Sequence, residues 1–557
     1  MVVELSAERE HEHVPAAPKA AGKVLTTGFW ALAAIPFLLA LAEAIRAPKL
    51  NFGDFWLLIG KGTTETGAIR PSALFELHND HPAVLVHLVF WLDAKLFAGH
   101  NNPLGLFSVG LALLIFVALV LVLPRALTGT TRLVVIVAMS ALVFSSAATE
   151  YWGIGMSGAH WMLGLAPSVL ALAAAHRGRT VLASALGLIA CIGHGAGFPV
   201  WAGLLLIAWL RREKAWRLVL PVVLGAAVLV VWVLAGDGRS YAAPFILGAD
   251  TYLSAVLTTL GQVLAPTAVD FALVTGTAIA ALLVIFTVLA VRDRQRGDDL
   301  EVRDVAAFVG LGVYALLAAV LIGLGRGRMG ATEGLAPRYA GIALLAVVAV
   351  VVLAAARKPR PSSPVVAVAL TVAVATFAIG SNWATATRNK YPTQPVLAVA
   401  MHVGADSTVL QMFAYPKFVP VLRQLHVYPF TEDFTLGCRG PELGSSVNLG
   451  EVPDLPGPAP DKKTAGAVET GEVVGDADIL GWAMVDGATP DCVLVVDAAG
   501  KVVGGGAVGL PRRDVLQVVN ATGRAGWRAV AAPGTKGGTV LVSSHGQLYK
   551  IKTVLGR

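Results

Sequence analysis

Charged residues are scarce in this chain. Only 14% of its 557 residues are Asp, Glu, Lys or Arg, whereas 56% are hydrophobic, and the mean hydropathy is +0.69. Because soluble domains carry about 25% charged residues, this composition excludes an ordinary soluble enzyme. The hydrophobic residues also lie in blocks that are long enough to span a bilayer. We therefore predict an integral membrane protein.

Clustered basic charge is missing too. The formal net charge is +7, but most Lys and Arg residues lie in short loops between apolar blocks rather than on one soluble segment. Such scattered charge is typical of an orientation signal in a membrane protein and not of a nucleic-acid surface. We therefore expect no nucleic-acid partner.

Cysteines and the common catalytic motifs are few. Cys191 lies in an apolar block, whereas Cys438 and Cys492 follow the last apolar block. Two cysteines alone cannot close a zinc site, and a disulfide between them and two free thiols both remain open. The chain contains no P-loop, so nucleotide use finds no support. It also contains neither a G-x-S-x-G nor an H-E-x-x-H motif.

Eleven apolar blocks come close to the length of about 20 residues that a helical membrane crossing needs. If the N-terminus lies in the cytoplasm, five successive basic loops also fall on the cytoplasmic side, as the positive-inside rule requires. An odd number of crossings then places the C-terminal region outside. The blocks are 26–46, 104–124, 133–149, 158–175, 179–194, 196–211, 216–235, 269–291, 305–324, 338–356 and 363–381.

A further apolar segment, 82–98, is interpreted differently. It carries His87, Asp93 and Lys95, and counting it as a crossing would put the basic loops on the wrong side. We predict a re-entrant or interfacial helix within one long external segment, 47–103.

Composition divides the chain into five regions. We predict a cytoplasmic tail (1–25), a transmembrane domain (26–381), an extracytoplasmic connecting region (382–452), a linker rich in Pro and Gly (453–471) and an all-β sandwich (472–557). The expected location is the plasma membrane, with the sandwich on the extracytoplasmic side.

Polar residues collect in the predicted external segments. Besides the first loop, these are 150–161 and 325–339. The glycine-rich segment 191–201 adds His194, which either lines a cavity or is hydrogen bonded between helices.

Asp54, in "NFGDFW", is the first candidate for chemistry. It follows the first span and is flanked by aromatic residues that are typical of the membrane interface. A carboxylate there with a raised pKa would serve as a general base. Alternatively, Asp54 caps a short helix.

The stretch "HNDHP" suggests a ligand site. His78, Asp80 and His81 are suitable metal ligands, but their spacing does not place all three on one helical face. Polar groups that bind a sugar or a pyrophosphate-like headgroup are favoured over a metal, although a divalent metal remains open. In either case Asp80 is expected to cap the 82–98 helix, with Pro82 in its first turn.

Three arginines break the positive-inside trend. Arg326, Arg328 and Arg338 lie in a predicted external loop, where they favour an anionic ligand such as a lipid phosphate. They also fit the simpler interpretation of snorkelling arginines that pair with Glu333 and Glu150.

The whole pattern resembles the GT-C superfamily of polytopic glycosyltransferases, which use polyprenyl-phosphate sugars outside the cytoplasm. "LFELHNDHPAVLVHLVFWLDAKLFAGHNN" is similar to the His-Asn-Glu-His-Arg stretch of bacterial membrane proteins of this type, and "GRGRMGATEGLAPRY" is similar to their Arg-Tyr segment. The likeness covers about 26–430. Asp80 stands where Glu is usual and Pro82 where Arg is usual.

The resemblance implies an inverting glycosyltransferase of the cell envelope. It would transfer a sugar from a polyprenyl-phosphate donor to a glycan or lipid acceptor, in contact with membrane lipids and with no certain cofactor. Asp54 would be the general base. The implied donor and acceptor residues are His78, Asn79, Asp80, His81, Arg326, Arg338 and Tyr339.

The C-terminal "GWAMVD" and "LPRRDV" resemble elements of β-sandwich modules that are appended to such proteins. The resemblance makes Trp482, Arg512 and Arg513 candidate glycan contacts.

Two other classes of function stay open. A transporter or lipid-carrier flippase needs polar groups through the membrane depth, whereas here they gather at one face. A non-catalytic envelope scaffold would depend on the β-sandwich and not on Asp54.

Overall fold

The structure, a computed structural model, describes residues 19–79, 81–235, 248–357, 364–412, 414–457, 462–469, 478–515, 523–536 and 538–555. Up to residue 424 these residues are mostly helical, and beyond residue 453 they are rich in β-strands. Asp80 and most of the predicted tail 1–25 lie outside the described residues.

The helices follow the apolar blocks of the sequence. They are α1 (Lys19–Arg46), α2 (Asp54–Gly62), α3 (Val84–Leu96), α4 (Asn101–Leu121), α5 (Gly129–Val143), α6 (Thr149–Gly153), α7 (Gly155–His176), α8 (Thr180–Gly193), α9 (Val200–Leu210), α10 (Ala215–Ala235), α11 (Ala249–Gly261), α12 (Val269–Arg296), α13 (Asp299–Arg326), α14 (Ala340–Arg357), α15 (Pro364–Ile379), α16 (Ser381–Arg388), α17 (Gln394–Val403), α18 (Asp406–Gln411) and α19 (Val419–Gln424).

Among the described residues, nine helical stretches are long and apolar enough to cross a membrane, and each overlaps a predicted block, although Val366–Val403 extends beyond 363–381 into the predicted connecting region. The predicted blocks 179–194 and 196–211 form shorter apolar helices, Thr180–Gly193 and Gly195–Leu210. A multi-pass membrane protein is therefore supported, with nine long helices and two shorter ones in place of eleven full-length crossings. The nine stretches are Thr26–Arg46, Asn101–Leu121, Gly129–Gly153, Gly155–His176, Ala215–Ala235, Val269–Arg296, Glu301–Met329, Pro337–Arg357 and Val366–Val403.

Helix α14 lies at the centre of the bundle. Its sequence is apolar on all sides, and nearly all of its side chains are buried, as expected for a helix surrounded by other helices. Helix α10, in contrast, exposes Val223, Leu229 and Leu234. An apolar surface of this kind is stable against lipid and not against water.

The connections between helices meet at two ends of the bundle. At the basic end, Arg294 donates a hydrogen bond to the carbonyl of Trp209 (3.0 Å). At the opposite end, which we call the site end, the Tyr151 hydroxyl donates to the carbonyl of Arg338 (2.6 Å). The central helix α14 therefore begins at the site end, directly after Arg338 and Tyr339.

The first long loop is compact and folds onto the site end. Helix α2 and helix α3 pack against each other, and between them Leu77–His78 (β1) and His81–Pro82 (β2) form a hairpin in which His78 pairs with His81. Helix α3 begins at Val84 with Ala83 as its N-cap, and no side chain caps it. The expected start of this helix at Pro82 is therefore wrong, because the hairpin uses Pro82 as a strand residue.

The C-terminal strands form one connected sheet. In spatial order the strands are β3, β10, β9, β6, β7, β8, β5 and β4, and all pairs are antiparallel except β3 with β10. The Gly466 amide donates to the Pro456 carbonyl (3.1 Å), so the two edge strands approach each other and the sheet is nearly closed. Their bounds are β3 (Asp454–Leu455), β4 (Ala465–Val468), β5 (Ile479–Met484), β6 (Cys492–Val496), β7 (Val502–Leu510), β8 (Gly526–Ala531), β9 (Gly538–Ser544) and β10 (Gln547–Leu555).

The prediction of a β-rich C-terminal unit is confirmed, whereas its sandwich shape stays a prediction. Strands β3 and β4 lie in the segment 453–471, which was expected to be a linker. They form strands there because β10 and β5 supply their hydrogen-bonding partners. Helix α17 packs on β7 and β8, which joins the β-rich unit to the helices.

A disulfide joins Cys438 to Cys492 at the start of β6, with the Cα atoms 5.2 Å apart. Cys191 is buried and free. The bridge ties the segment that follows the last helices to the sheet.

Replacing Cys438 and Cys492 together with alanine should lower the free energy of unfolding of the β-rich unit by about 2–4 kcal/mol, because the bridge restricts the unfolded chain. The measurement is thermal unfolding of the purified chain, followed by limited proteolysis. Cys191→Ala is the matched control, since it removes a buried thiol outside the bridge. Equal protease resistance of the double variant and the control would contradict a stabilising bridge.

Candidate functional site

Asp54 is the first residue of helix α2 at the site end. Gly53, directly before it, has φ +41°, a left-handed conformation that glycine adopts readily and other residues adopt rarely. This turn carries the chain from the end of α1 into α2, whose Phe55 and Trp56 are fully buried. The aromatic residues anchor the helix, and the Asp54 side chain remains 45% exposed.

His78 holds Asp54 in place. Its Nε2 atom lies 3.2 Å from Asp54 Oδ2, and its side chain is only 8% exposed. The hairpin places it there: Asn79 occupies the left-handed region (φ +48°) in the two-residue turn between β1 and β2. The Asn79 side-chain amide lies 3.1 Å from the same His78 nitrogen. A half-exposed carboxylate is thus backed by a buried imidazole.

The pKa of Asp54 is lowered below its usual range. Burial alone would raise this pKa, but the hydrogen bond from His78 and the electrostatic interactions with the basic side chains of His78, His160 and Arg338 outweigh burial. The rise expected from an interfacial carboxylate is therefore wrong, because the fold brings three basic side chains around it. Asp54 is ionised at neutral pH and can accept a proton.

Four histidines from three parts of the chain meet behind Asp54, and two of them, His78 and His81, lie on one hairpin. The ring centroids are 5.7 Å apart for His78 and His160, 4.9 Å for His160 and His194, and 4.8 Å for His194 and His81. His194 accepts a hydrogen bond at Nδ1 from the Ala196 amide (3.0 Å), so in its neutral form the proton is on Nε2. The sequence assigned His78 and His81 to the site but did not assign His160.

His81 is held without charge. Burial, the nearby charge of Arg326 and that of His78 lower its pKa to about 4. A side-chain Cβ on Gly195 would collide with the His81 ring, so the close approach of the backbone there requires glycine. His81 therefore presents a neutral imidazole, which suits hydrogen bonding to a polar ligand and not charge pairing.

Arg338 and Tyr339 form the other side of the site. Arg338 pairs with Glu333, and its guanidinium lies 5.0 Å from the centroid of the Tyr339 ring. Trp161 packs between this pair and the histidines, with its ring 5.3 Å from Tyr339 and 4.2 Å from His194. The two parts of the predicted site, from the first loop and from 325–339, are thus brought together through Trp161.

Glu150, which the sequence suggested only as a partner for an arginine, is buried beside the site. It accepts a hydrogen bond from the Ser157 hydroxyl (2.9 Å) and lies 3.6 Å from Lys390 Nζ. The expected pairing of Arg338 with Glu333 is found, whereas Glu150 pairs with Lys390, which lies within the stretch Val366–Val403. A signal existed, because an ionisable residue next to a membrane span is a functional candidate by default.

The predicted glycan contacts lie in the β-rich unit. Trp482 is 6% exposed and packs with Met484 and Val515, so its ring has little surface to offer a sugar. Arg512 is bound by the carboxylates of Glu469 and Asp514, and Arg513 is exposed. Glycan binding at these residues stays a prediction.

Metal binding finds no ligand set in the part of the chain that the structure describes. Within it, His, Cys, Asp and Glu side chains form no group of three or more that could hold a metal ion. The histidine rings contact one another through their faces and edges, and Asp80, a predicted ligand, lies outside the described residues.

Comparison of the chain with protein-family models, with curated proteins and with solved structures finds no match. The function must therefore be inferred from the site itself.

Replacing His78 with glutamine should raise the pKa of Asp54, because the charge and the imidazole hydrogen bond that lower it are removed. At a pH above the usual pKa of an aspartate, ionised Asp54 stabilises the fold. This stabilisation is lost as the pH falls through the lowered pKa that Asp54 has in the folded protein. Carbodiimide labelling of Asp54, which requires a protonated carboxyl, should begin at a higher pH in His78→Gln than in the wild type. His402→Gln, a histidine that packs on Phe434, is the control. Identical labelling profiles in both variants would contradict the contact.

Proposed function

We propose that this protein is a glycosyltransferase of the GT-C type, which transfers a sugar from a polyprenyl-phosphate donor to a glycan or lipid acceptor at the site end. The observation that supports this most is that the half-exposed, ionised Asp54 lies close enough to Arg338 for the charge of Arg338 to lower its pKa. A carboxylate that takes a proton and a cation that stabilises a leaving phosphate are the two groups that such a transfer needs.

We propose further that the site end faces away from the cytoplasm. The basic connections gather at the opposite end, which suits the positive-inside rule. The disulfide between Cys438 and Cys492 also favours an oxidising compartment for the β-rich unit. Helices α8 and α9 would complete eleven crossings, since together they connect Arg179 near the basic end with His194 and return to Trp209.

The proposed reaction is a single displacement. The acceptor hydroxyl oxygen attacks the anomeric carbon, the bond from that carbon to the phosphate oxygen breaks, and the hydroxyl proton passes to Asp54. Arg338, with Arg326 nearby, stabilises the negative charge on the departing polyprenyl phosphate. His78 keeps Asp54 oriented, and His81 and Asn79 orient the sugar or the acceptor. The configuration at the anomeric carbon is inverted.

Asp54→Asn should reduce sugar transfer by about 10²–10⁴-fold, because a positioned base contributes this much to the rate. The measurement is transfer from a polyprenyl-phosphate sugar in membranes that contain equal amounts of each variant. Glu65→Gln is the matched control, an exposed carboxylate of the same loop. Near-normal transfer by Asp54→Asn would exclude a role as base.

Arg338→Ala should lower kcat/KM for the donor by about 10²-fold, the size expected for the loss of one charged donor at a developing anion. Arg338→Lys should recover part of the loss, since it keeps the charge but not the planar fork. Lys61→Ala, which removes an exposed cation from the last turn of α2, is the control. Equal effects of Arg338→Ala and Lys61→Ala would count against a specific phosphate site.

A further inference from the structure

A cavity lies beside helix α6, where Thr149 and Trp152 line it. It has a volume of about 270 Å³ and opens between the C-terminal parts of α1 and α15, which both pack on α5. We infer that this groove binds an anionic phospholipid, with the phosphate at its charged end and the upper acyl chain along its apolar end. The inference does not depend on the proposed glycosyl transfer.

The charged end of the groove is built around Glu43. This buried carboxylate accepts a hydrogen bond from Arg388 Nε (3.0 Å) and one from the Tyr391 hydroxyl (2.9 Å). Arg46, one turn further along α1, is exposed and forms no ion pair with any described residue. The residues that line the groove include two arginines and one carboxylate, so their net charge is +1. The groove therefore favours an anionic headgroup over a zwitterionic one.

Most of the remaining lining is apolar and belongs to helices long and apolar enough to cross a membrane. Leu39 and Phe144 line it from α1 and from the residue after α5, and Phe377 and Ala378 line it from α15. Leu39 precedes Arg46 by seven residues, or about 10 Å along the helix axis. This distance separates an apolar wall from a cationic end, as the glycerol and upper acyl region of a phospholipid require.

Hydrogen bonds between neighbouring segments hold the walls of the groove in place. The Ser146 hydroxyl donates to the Phe377 carbonyl and the Thr149 hydroxyl donates to the Ser146 carbonyl (2.6 Å), which ties α15 to the turn between α5 and α6. Ser146 and Thr149 also line the cavity, and each hydroxyl oxygen keeps a lone pair for a headgroup hydroxyl. Leu39 is 52% exposed at the rim, so the groove opens sideways to the surface that lipid covers.

The test is a titration of the purified full-length chain with dioleoyl phosphatidylglycerol and, separately, with dioleoyl phosphatidylcholine, followed by native mass spectrometry. The wild type should retain phosphatidylglycerol preferentially. Arg46→Gln should weaken phosphatidylglycerol binding about fivefold and leave phosphatidylcholine unchanged, since one interfacial arginine contributes about this much. Ala378→Trp, which fills the groove from its exposed rim, should weaken both by at least about tenfold.

Two matched controls separate the groove from general lipid contact. Arg70→Gln removes an exposed cation of the first loop, and Ala34→Trp adds an indole to the exposed face of α1; neither residue lines the groove. Both controls should bind lipid like the wild type. Unchanged binding in Ala378→Trp, or equal losses in Arg46→Gln and Arg70→Gln, would overturn the proposal. Displacement of the lipid by millimolar inorganic phosphate would overturn it as well, since the acyl chain would then contribute nothing.

Discussion

The buried amide of Asn101 holds together the segments on which the site depends. Its Nδ2 atom donates to the carbonyls of Pro48 and Gly153 (both 3.0 Å), and its Oδ1 atom accepts from the Gly155 amide (2.6 Å). Pro48 begins the segment that leads to Asp54, whereas Gly153 and Gly155 flank the junction of α6 and α7. An apolar residue at this position would leave three backbone groups without partners, at a cost of about 1–3 kcal/mol for each one that stays buried.

With this junction fixed, the charges at the site end balance in pairs. Arg338 is neutralised by Glu333, and Lys390 by Glu150, so neither arrangement buries an isolated charge. Asp54 is different, because its partner His78 is an imidazole that can also be neutral and its own side chain reaches solvent. Among the carboxylates named here from the described residues, Asp54 is thus the one that is both accessible and incompletely neutralised, and an incoming substrate would meet it first.

The sequence predicts the helices well because hydropathy is a local property. The predicted block 338–356 corresponds to Pro337–Arg357, and 104–124 corresponds to Asn101–Leu121. Strands β3 and β4 were missed because their residues form strands only where β10 and β5 lie beside them. The hairpin of β1 and β2 was missed for a related reason, since each strand has only two residues and Asn79 is not followed by the glycine that marks a tight hairpin turn.

The site was predicted in its parts and not in its arrangement. Asp54, His78 and Arg338 could be selected by residue type and by position next to apolar blocks, which are visible in the sequence. The direction in which the pKa of Asp54 shifts could not be predicted from the sequence. It is decided by His78 and Arg338, which lie 24 and 284 residues further along the chain. His160 and His194 carry no motif, and only the packing of α7 against α8 brings their rings together.

Helix α6 lies between the groove and the Arg338 side of the site. Thr149 and Trp152 line the groove beside Glu43, whereas Glu150 and Tyr151, between them in sequence, bond to Ser157 and to the Arg338 carbonyl. Helix α6 has only five residues and packs closely against its neighbours. A displacement of its residues on one side is therefore transmitted to the other side. A lipid in the groove and a substrate beside Asp54 would therefore act on the same turn of helix, from opposite faces.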